Sequence, residues 1–228
     1  SADAQRTYGY RRFEILAAAF NAVLLFVVAG YVLYEGISRF FDPQPVESIG
    51  MLAVASLGLV VNLIAMRVLA GGKETSLNMK GAYLEVWADM LGSLGVIAAA
   101  IAIWLTGKTW IDPIVAIAIG LWVLPRTWTL LRDTTHILLQ GVPRGFDLET
   151  VRSAMLRVPG VAGVHDLHLW SVAGDDASLT AHLVLQPKAM GEDIRIAVAE
   201  MLEQKFKIHH ATLQTETEPC GDAEALHA

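Results

Sequence analysis

Apolar positions gather into four long runs in the first part of the chain, and then the pattern changes. The runs cover about residues 13–34, 49–70, 81–105 and 111–131. Each is long enough to cross a hydrocarbon core of about 30 Å as a helix, which takes roughly 20 apolar residues. The linkers between them are polar or turn-rich: SRFFDPQPVES, GGKETSLNMK and the short GKTW. Asp112-Pro113 opens the fourth run. Proline is tolerated at a helix start because the N–H it lacks is unpaired there anyway.

Beyond Pro143 the apolar spacing shortens. DLETVRSAMLRVPG reads as a helix with an acidic start and a Pro-Gly stop. Then come a strand (VAGVHDLHLWSV), a turn (AGDDAS), a strand (LTAHLVLQP), a helix (EDIRIAVAEMLEQKF) and a strand (HHATLQTE). Period-two alternation in HDLHLWSV and LTAHLVL marks the strands. This order predicts a small α+β, ferredoxin-like domain over residues 142–220, with its helices on one face of the sheet. Residues 221–228 are expected to form a flexible tail.

Composition agrees with that division. The chain is 54 % hydrophobic and only 18 % charged, well below the quarter usual in soluble domains. The net charge of −6 argues against a nucleic-acid partner, which calls for a basic footprint. One cysteine, Cys220, allows no internal disulfide. No signal peptide is visible. The chain opens on Ser1 and soon enters an apolar run, the pattern expected of a fragment whose beginning lies upstream.

Lysine and arginine fix the expected orientation. Arg6, Arg11 and Arg12 precede the first run, Lys73 and Lys80 fall between the second and third, and Arg126, Arg132 and Arg144 close the fourth. The opposite side holds Arg39 and Lys108. Both ends of the chain are therefore expected in the cytoplasm, with the runs spanning a membrane.

The chemistry stands out against this apolar background. The third run contains Glu85 and Asp89, four residues apart and so on one helix face. A carboxylate facing lipid is costly, so such residues face a bundle interior or an ion path. The pair reads as half of a metal-ion site; the plainer alternative is two carboxylates held by helix–helix hydrogen bonds, or lining a water path without binding metal. Asn62 is the polar residue of the second run. Gly92 and Gly95, beside Ser93, are expected to allow close helix approach. Trp104 and Trp110 straddle the GKTW turn, where an aromatic belt belongs. In the second part, His165, His168, His182, His209 and His210 lie on or beside strands. His165 and His182 can approach each other across a hairpin, whereas simple alternation puts His168 on the opposite face. Surface histidines without a shared ligand are the alternative.

Several stretches together resemble the cation diffusion facilitator family of bacterial zinc, cobalt and cadmium efflux transporters. They are TYGYRRFEILAA, GAYLEVWADMLGSLGV, WIDPIVAIAIGLWVL, VHDLHLWSV and HATLQTE. The resemblance implies six spans, of which these four match the last four, and a dimer that exchanges metal for protons. It implies a tetrahedral transport site with two ligands on Glu85 and Asp89 and two on a span not in this sequence. Histidine or aspartate usually stands where this chain has Glu85, and oxygen ligands select zinc less sharply than imidazole does. Asn62 is implied near the transport path, or else makes a plain interhelical hydrogen bond. Cytoplasmic metal ligands are implied at His165, His182, Glu216 and Glu218, a set suited to Zn²⁺. A second, membrane-edge site looks degraded, because its positions read Asp3, Arg6 and Tyr10.

The expected function is therefore export of divalent transition-metal cations against protons by a homodimer in the bilayer. A membrane-anchored metal sensor or chaperone is the alternative. No nucleophile–base pairing points to an enzyme, and no nucleotide-binding loop points to ATP as the energy source.

Overall fold

The computed structural model describes residues 3–42, 48–71, 77–174 and 176–218. Cys220 and the tail lie outside them. Two compact units form: Val23–Trp128 is one, and Ser1–Ala22 with Thr129–Ala228 is the other.

The four apolar runs are helices, each longer than the run that predicts it. They are α1 (Arg11–Phe41), α2 (Ser48–Ala70), α3 (Leu77–Thr106) and α4 (Ile111–Leu138). All four are long and apolar enough to cross a membrane. They outrun the apolar windows because a helix carries its polar ends into the interface and continues.

Helix α1 meets α4 through two glycines. A Cβ on Gly36 would lie 3.1 Å from side-chain atoms of Ala116 and Ile117, and one on Gly120 would lie 3.0 Å from Leu33 Cβ. Gly92 and Gly95 do not play that part. A Cβ on either meets nothing within 4 Å among the described residues. Both line a cavity instead, so their small size opens space rather than closing a contact. The α1–α4 pair is also tied by charge. Arg39 donates to Glu35 Oε1 at 3.0 Å and to Asp112 Oδ2 at 3.1 Å. Asp112 thus supports the fold from the mouth of α4.

The second unit carries the α+β domain in the expected order: α5 (Leu148–Leu156), β1 (Val161–Trp170), β2 (Ser178–Leu185), α6 (Gly191–Phe206) and β3 (His210–Glu216). Asp147 caps α5, its carboxylate accepting from the Thr150 N–H at 2.9 Å. The sheet runs β1-β2-β3, antiparallel then parallel. Val164, Leu169, Leu179, Ala181 and Leu183 form a buried core with Val151 and Met155 of α5 and Val198 and Leu202 of α6. One sheet face is therefore filled by the helices. The other face carries the polar positions.

Strand β1 departs from simple alternation. His165 pairs with His182, yet His168 pairs with Thr180, so three steps on β1 oppose two on β2. This is a β-bulge, which returns the bulged strand to the same face one residue late. Asp166 sits in it at φ 50°, a left-handed conformation that aspartate tolerates. His168 therefore shares the face of His165 and His182, contrary to the alternation rule. Both Val164 and Leu169 can point into the core only because of this extra residue.

The β1–β2 turn is built on Asp176. Its Oδ1 accepts from Ser171 Oγ at 2.7 Å and from the N–H groups of Val172 and Ala173 at 3.1 and 3.2 Å. Arg11 donates to its Oδ2 at 3.1 Å. Burial pushes this carboxyl up, but the Ser171, Ala173 and Val172 hydrogen bonds and the Arg11 charge outweigh it and hold it below its ordinary value of 3.8. A depressed carboxyl stabilises the fold fully above its unfolded value and loses that contribution as pH falls through its folded value. Asp176→Asn should therefore lower the thermal midpoint by a constant amount at neutral pH. The gap should close only as the pH drops below about 3.8, read from paired melting curves across an acid series.

Candidate metal centres

The α3 carboxylates come out as their spacing demands, on one face one turn apart. Their side chains are 57 % and 58 % exposed for Glu85 and Asp89, so an ion can reach both. Asp89 also lines a cavity of about 800 Å³ between α2, α3 and α4, whose wall includes Asn62 and Ser93. Asn62 and Asp89 therefore share one space, and Glu85 sits one turn away.

A third charge stands against the pair. Arg126 of α4 lies 2.9 Å from Glu85 Oε1 through one guanidinium nitrogen and 3.5 Å from Asp89 Oδ1 through the other. Counting Arg126 among the basic residues that close the fourth run misses this. The signal was its setting: WVLPRTW leaves the arginine flanked by apolar residues well before the helix ends. Arg132 and Arg144 still supply the basic end, with Arg144 ion-paired to Asp133.

On the open face of the sheet, His165, His182 and Glu216 come together from β1, β2 and β3. Glu216 bridges the two rings, with Oε2 2.9 Å from His165 Nε2 and Oε1 2.8 Å from His182 Nδ1. The rings themselves meet edge to face with centroids 5.1 Å apart. One ligand atom from each residue lies within 4.8 Å of the other two, a group that could hold a metal ion. A tetrahedral ion bound at about 2.0–2.2 Å holds its ligand atoms about 3.4 Å apart. The 4.8 Å within which the trio's atoms lie is of the same order, so side-chain adjustment would bring them to that spacing.

The other expected members fall elsewhere. Glu218 stands exposed past the end of β3, outside that group. His168 turns to Asp166, whose Oδ1 is 3.0 Å from its Nε2. Asp166 Oδ2 also lies 3.6 Å from His182 Nε2, so the bulge sets a carboxylate behind one ring of the trio. Such partners fix the orientation of metal-binding histidines. Alternation gave no hint of this, because only the bulge brings Asp166 round. His209 lies 3.2 Å from Glu203 Oε1, and His210 lies 3.3 Å from the Tyr8 hydroxyl. His136 sits 2.8 Å from the Val142 carbonyl and steadies the exit from α4. Asp3, Arg6 and Tyr10 engage one another: Tyr10 donates to Asp3 at 3.1 Å, and Arg6 lies over the Tyr10 ring at 4.9 Å.

Comparison with known proteins bears on both halves. Residues 1–139 match the cation efflux transmembrane domain, and residues 143–218 match the cation efflux protein cytoplasmic domain. This chain belongs to the cation diffusion facilitator family. The metal cation efflux system protein CzcD of Cupriavidus metallidurans is 53 % identical over 98 % of this chain and 71 % of its own length. The cadmium, cobalt and zinc/H(+)-K(+) antiporter of Bacillus subtilis is 39 % identical over 95 % and 71 %. The zinc transporter ZitB of Escherichia coli is 38 % identical over 95 % and 69 %. A solved structure, the metal-bound C-terminal domain of the CzcD transporter, is 39 % identical, covers 31 % of this chain and 99 % of its own, and superposes with a TM-score of 0.30. As a facilitator, the chain is a multi-pass inner-membrane protein whose α+β domain is cytoplasmic.

The trio generates a test of its own. Residues 143–218 carry their own core, and the three side chains meet only when the sheet is folded. A metal held by them should therefore stabilise the fold by mass action. The expected outcome is a thermal midpoint that rises with stoichiometric Zn²⁺, and His165→Ala with His182→Ala should remove most of the rise. Melting that ignores Zn²⁺ would leave the trio a hydrogen-bonded cluster.

Proposed function

We propose that this protein exports divalent transition-metal cations, with Zn²⁺, Co²⁺ and Cd²⁺ as substrates, from the cytoplasm in exchange for protons. The observation that carries the reading is Glu85 and Asp89, two exposed carboxylates one turn apart on a membrane-spanning helix of a cation efflux protein. The names of the similar proteins, which include metal cation efflux and cadmium, cobalt and zinc antiport, support the same substrate class.

The chemistry follows from the ligands. Carboxylate oxygens bind a divalent cation as anions, and protonation removes that capacity. A metal on Glu85 and Asp89 is thus released where protons are plentiful and captured where they are scarce. That exchange couples outward metal movement to inward proton movement without ATP. Asn62, on the shared cavity wall, offers an amide oxygen along the path.

The cytoplasmic trio has a separate task. Two imidazoles and a carboxylate suit Zn²⁺ or Co²⁺. A metal bridging three strands makes the sheet stiffer when cytoplasmic metal is high. In a homodimer joined through this domain, that stiffening reaches the helices and adjusts transport to supply. Glu218, two residues beyond Glu216 and exposed, would be the next carboxylate along the chain able to supply a ligand oxygen.

Transport itself separates this reading from a membrane-anchored sensor. Full-length protein in sealed vesicles with a pH gradient should move Zn²⁺, with the lumenal metal followed by a trapped dye. Asp89→Ala should reduce the flux at least about tenfold, a loss seen even when residues behind a metal's ligands are changed. The variant should remain dimeric by sedimentation. Wild-type flux in Asp89→Ala would overturn the transport-site assignment.

A further inference from the structure

The guanidinium of Arg126 spans the two carboxylates that the proposed function makes metal ligands. Its nitrogens lie 2.9 Å from Glu85 Oε1 and 3.5 Å from Asp89 Oδ1. Two features make this more than an ion pair at a helix end. The arginine lies inside α4, twelve positions before its last residue, Leu138. Pro125 stands immediately before it. Proline removes one N–H from the helix ladder and loosens the turn around it. The backbone that carries the guanidinium can therefore yield.

A metal and the guanidinium compete for the same oxygens. A zinc–carboxylate bond is about 2.0–2.2 Å long, so an ion on Glu85 Oε1 would sit within a few ångströms of the Arg126 nitrogen now held there. Two cations that close on the same oxygens repel, so one must leave for the other to bind.

We propose that Arg126 is a tethered substitute cation: it occupies the carboxylate pair when no metal is bound, and metal must displace it to enter. This rests on Glu85 and Asp89 being the transport ligands. The consequence is kinetic as well as thermodynamic. The empty site keeps two adjacent carboxylates from facing each other uncompensated, which eases return of the unloaded protein. Metal affinity is lowered by the cost of displacement, which favours release on the far side. Arg126 touches the ligands rather than the ion, so its part is competition, not coordination.

The sign of the effect distinguishes this from a structural ion pair. Removing a strut loosens the site and weakens metal binding, whereas removing a competitor tightens it. Zn²⁺ binding is measured on full-length protein carrying His165→Ala and His182→Ala, which removes the cytoplasmic trio from the titration. In that background Arg126→Gln should bind Zn²⁺ about tenfold more tightly, the factor set by roughly 1.4 kcal/mol. Arg126→Ala should do the same, and Arg126→Lys, which keeps the charge, should stay near the parent. In vesicles Arg126→Gln should lower both KM and kcat for Zn²⁺, because entry is easier and release slower. Unchanged or weaker binding in both Arg126→Gln and Arg126→Ala would overturn the proposal. Asp89→Ala is the control that keeps the two claims apart. If it binds Zn²⁺ like the parent, the site reading itself has failed; if it loses Zn²⁺ while the Arg126 variants match the parent, only the tethered-cation proposal has failed.

Discussion

A carboxylate on an apolar membrane helix has few tolerable surroundings: water, a bundle interior, a cation or a proton. Helix α3 carries two, one turn apart, and the membrane unit answers with positive charge and open space. Arg126 reaches across from α4 to both. The cavity beside Asp89 has a mostly apolar wall, including Leu91, Val96, Ile119 and Trp122, into which Asn62 and Ser93 bring polar groups and where Gly92 and Gly95 leave room. Helices α1 and α4 are clamped separately, by Gly36, Gly120 and the Arg39–Asp112 pair. The rigid contact and the ion-accessible space therefore use different residues.

The cytoplasmic domain solves a related problem by a different route. Its helices cover one sheet face with Val151, Met155, Val198 and Leu202, which leaves the other face for chemistry. One bulge at Asp166 sets the phase of everything beyond it on β1. It lets Val164 and Leu169 both reach the core, returns His168 to the polar face and brings a carboxylate behind His182. The trio can assemble only if three strands hold register, whereas the α3 pair needs only one helix.

Much of this was legible in the sequence. Four long apolar runs and a helix–strand–strand–helix–strand order specify the architecture because both periodicities are local and strong. The Glu85–Asp89 spacing specifies one helix face without any knowledge of neighbours. What could not be read depends on contacts between elements. Arg126 looked like an end charge because run length alone does not say where its partner helix lies. Alternation puts His168 on the opposite face from His165, because it cannot foresee a bulge. Gly92 and Gly95 were expected at a helix contact because glycine in a span signals small size, and small size serves a cavity as well as a contact. Glu216 and Glu218 are equivalent by composition; only the end of β3 separates the residue that meets both imidazoles from the one that stands exposed.

The central claim is that a divalent cation sits on Glu85 and Asp89 within the membrane unit. X-ray absorption at the zinc edge tests it most directly, using full-length protein with the cytoplasmic trio removed by His165→Ala and His182→Ala. The account predicts that zinc is retained, that its shell includes oxygens at about 2.0–2.2 Å, and that Asp89→Ala removes the metal. A spectrum unchanged by Asp89→Ala, or no retained zinc in the parent, would contradict it.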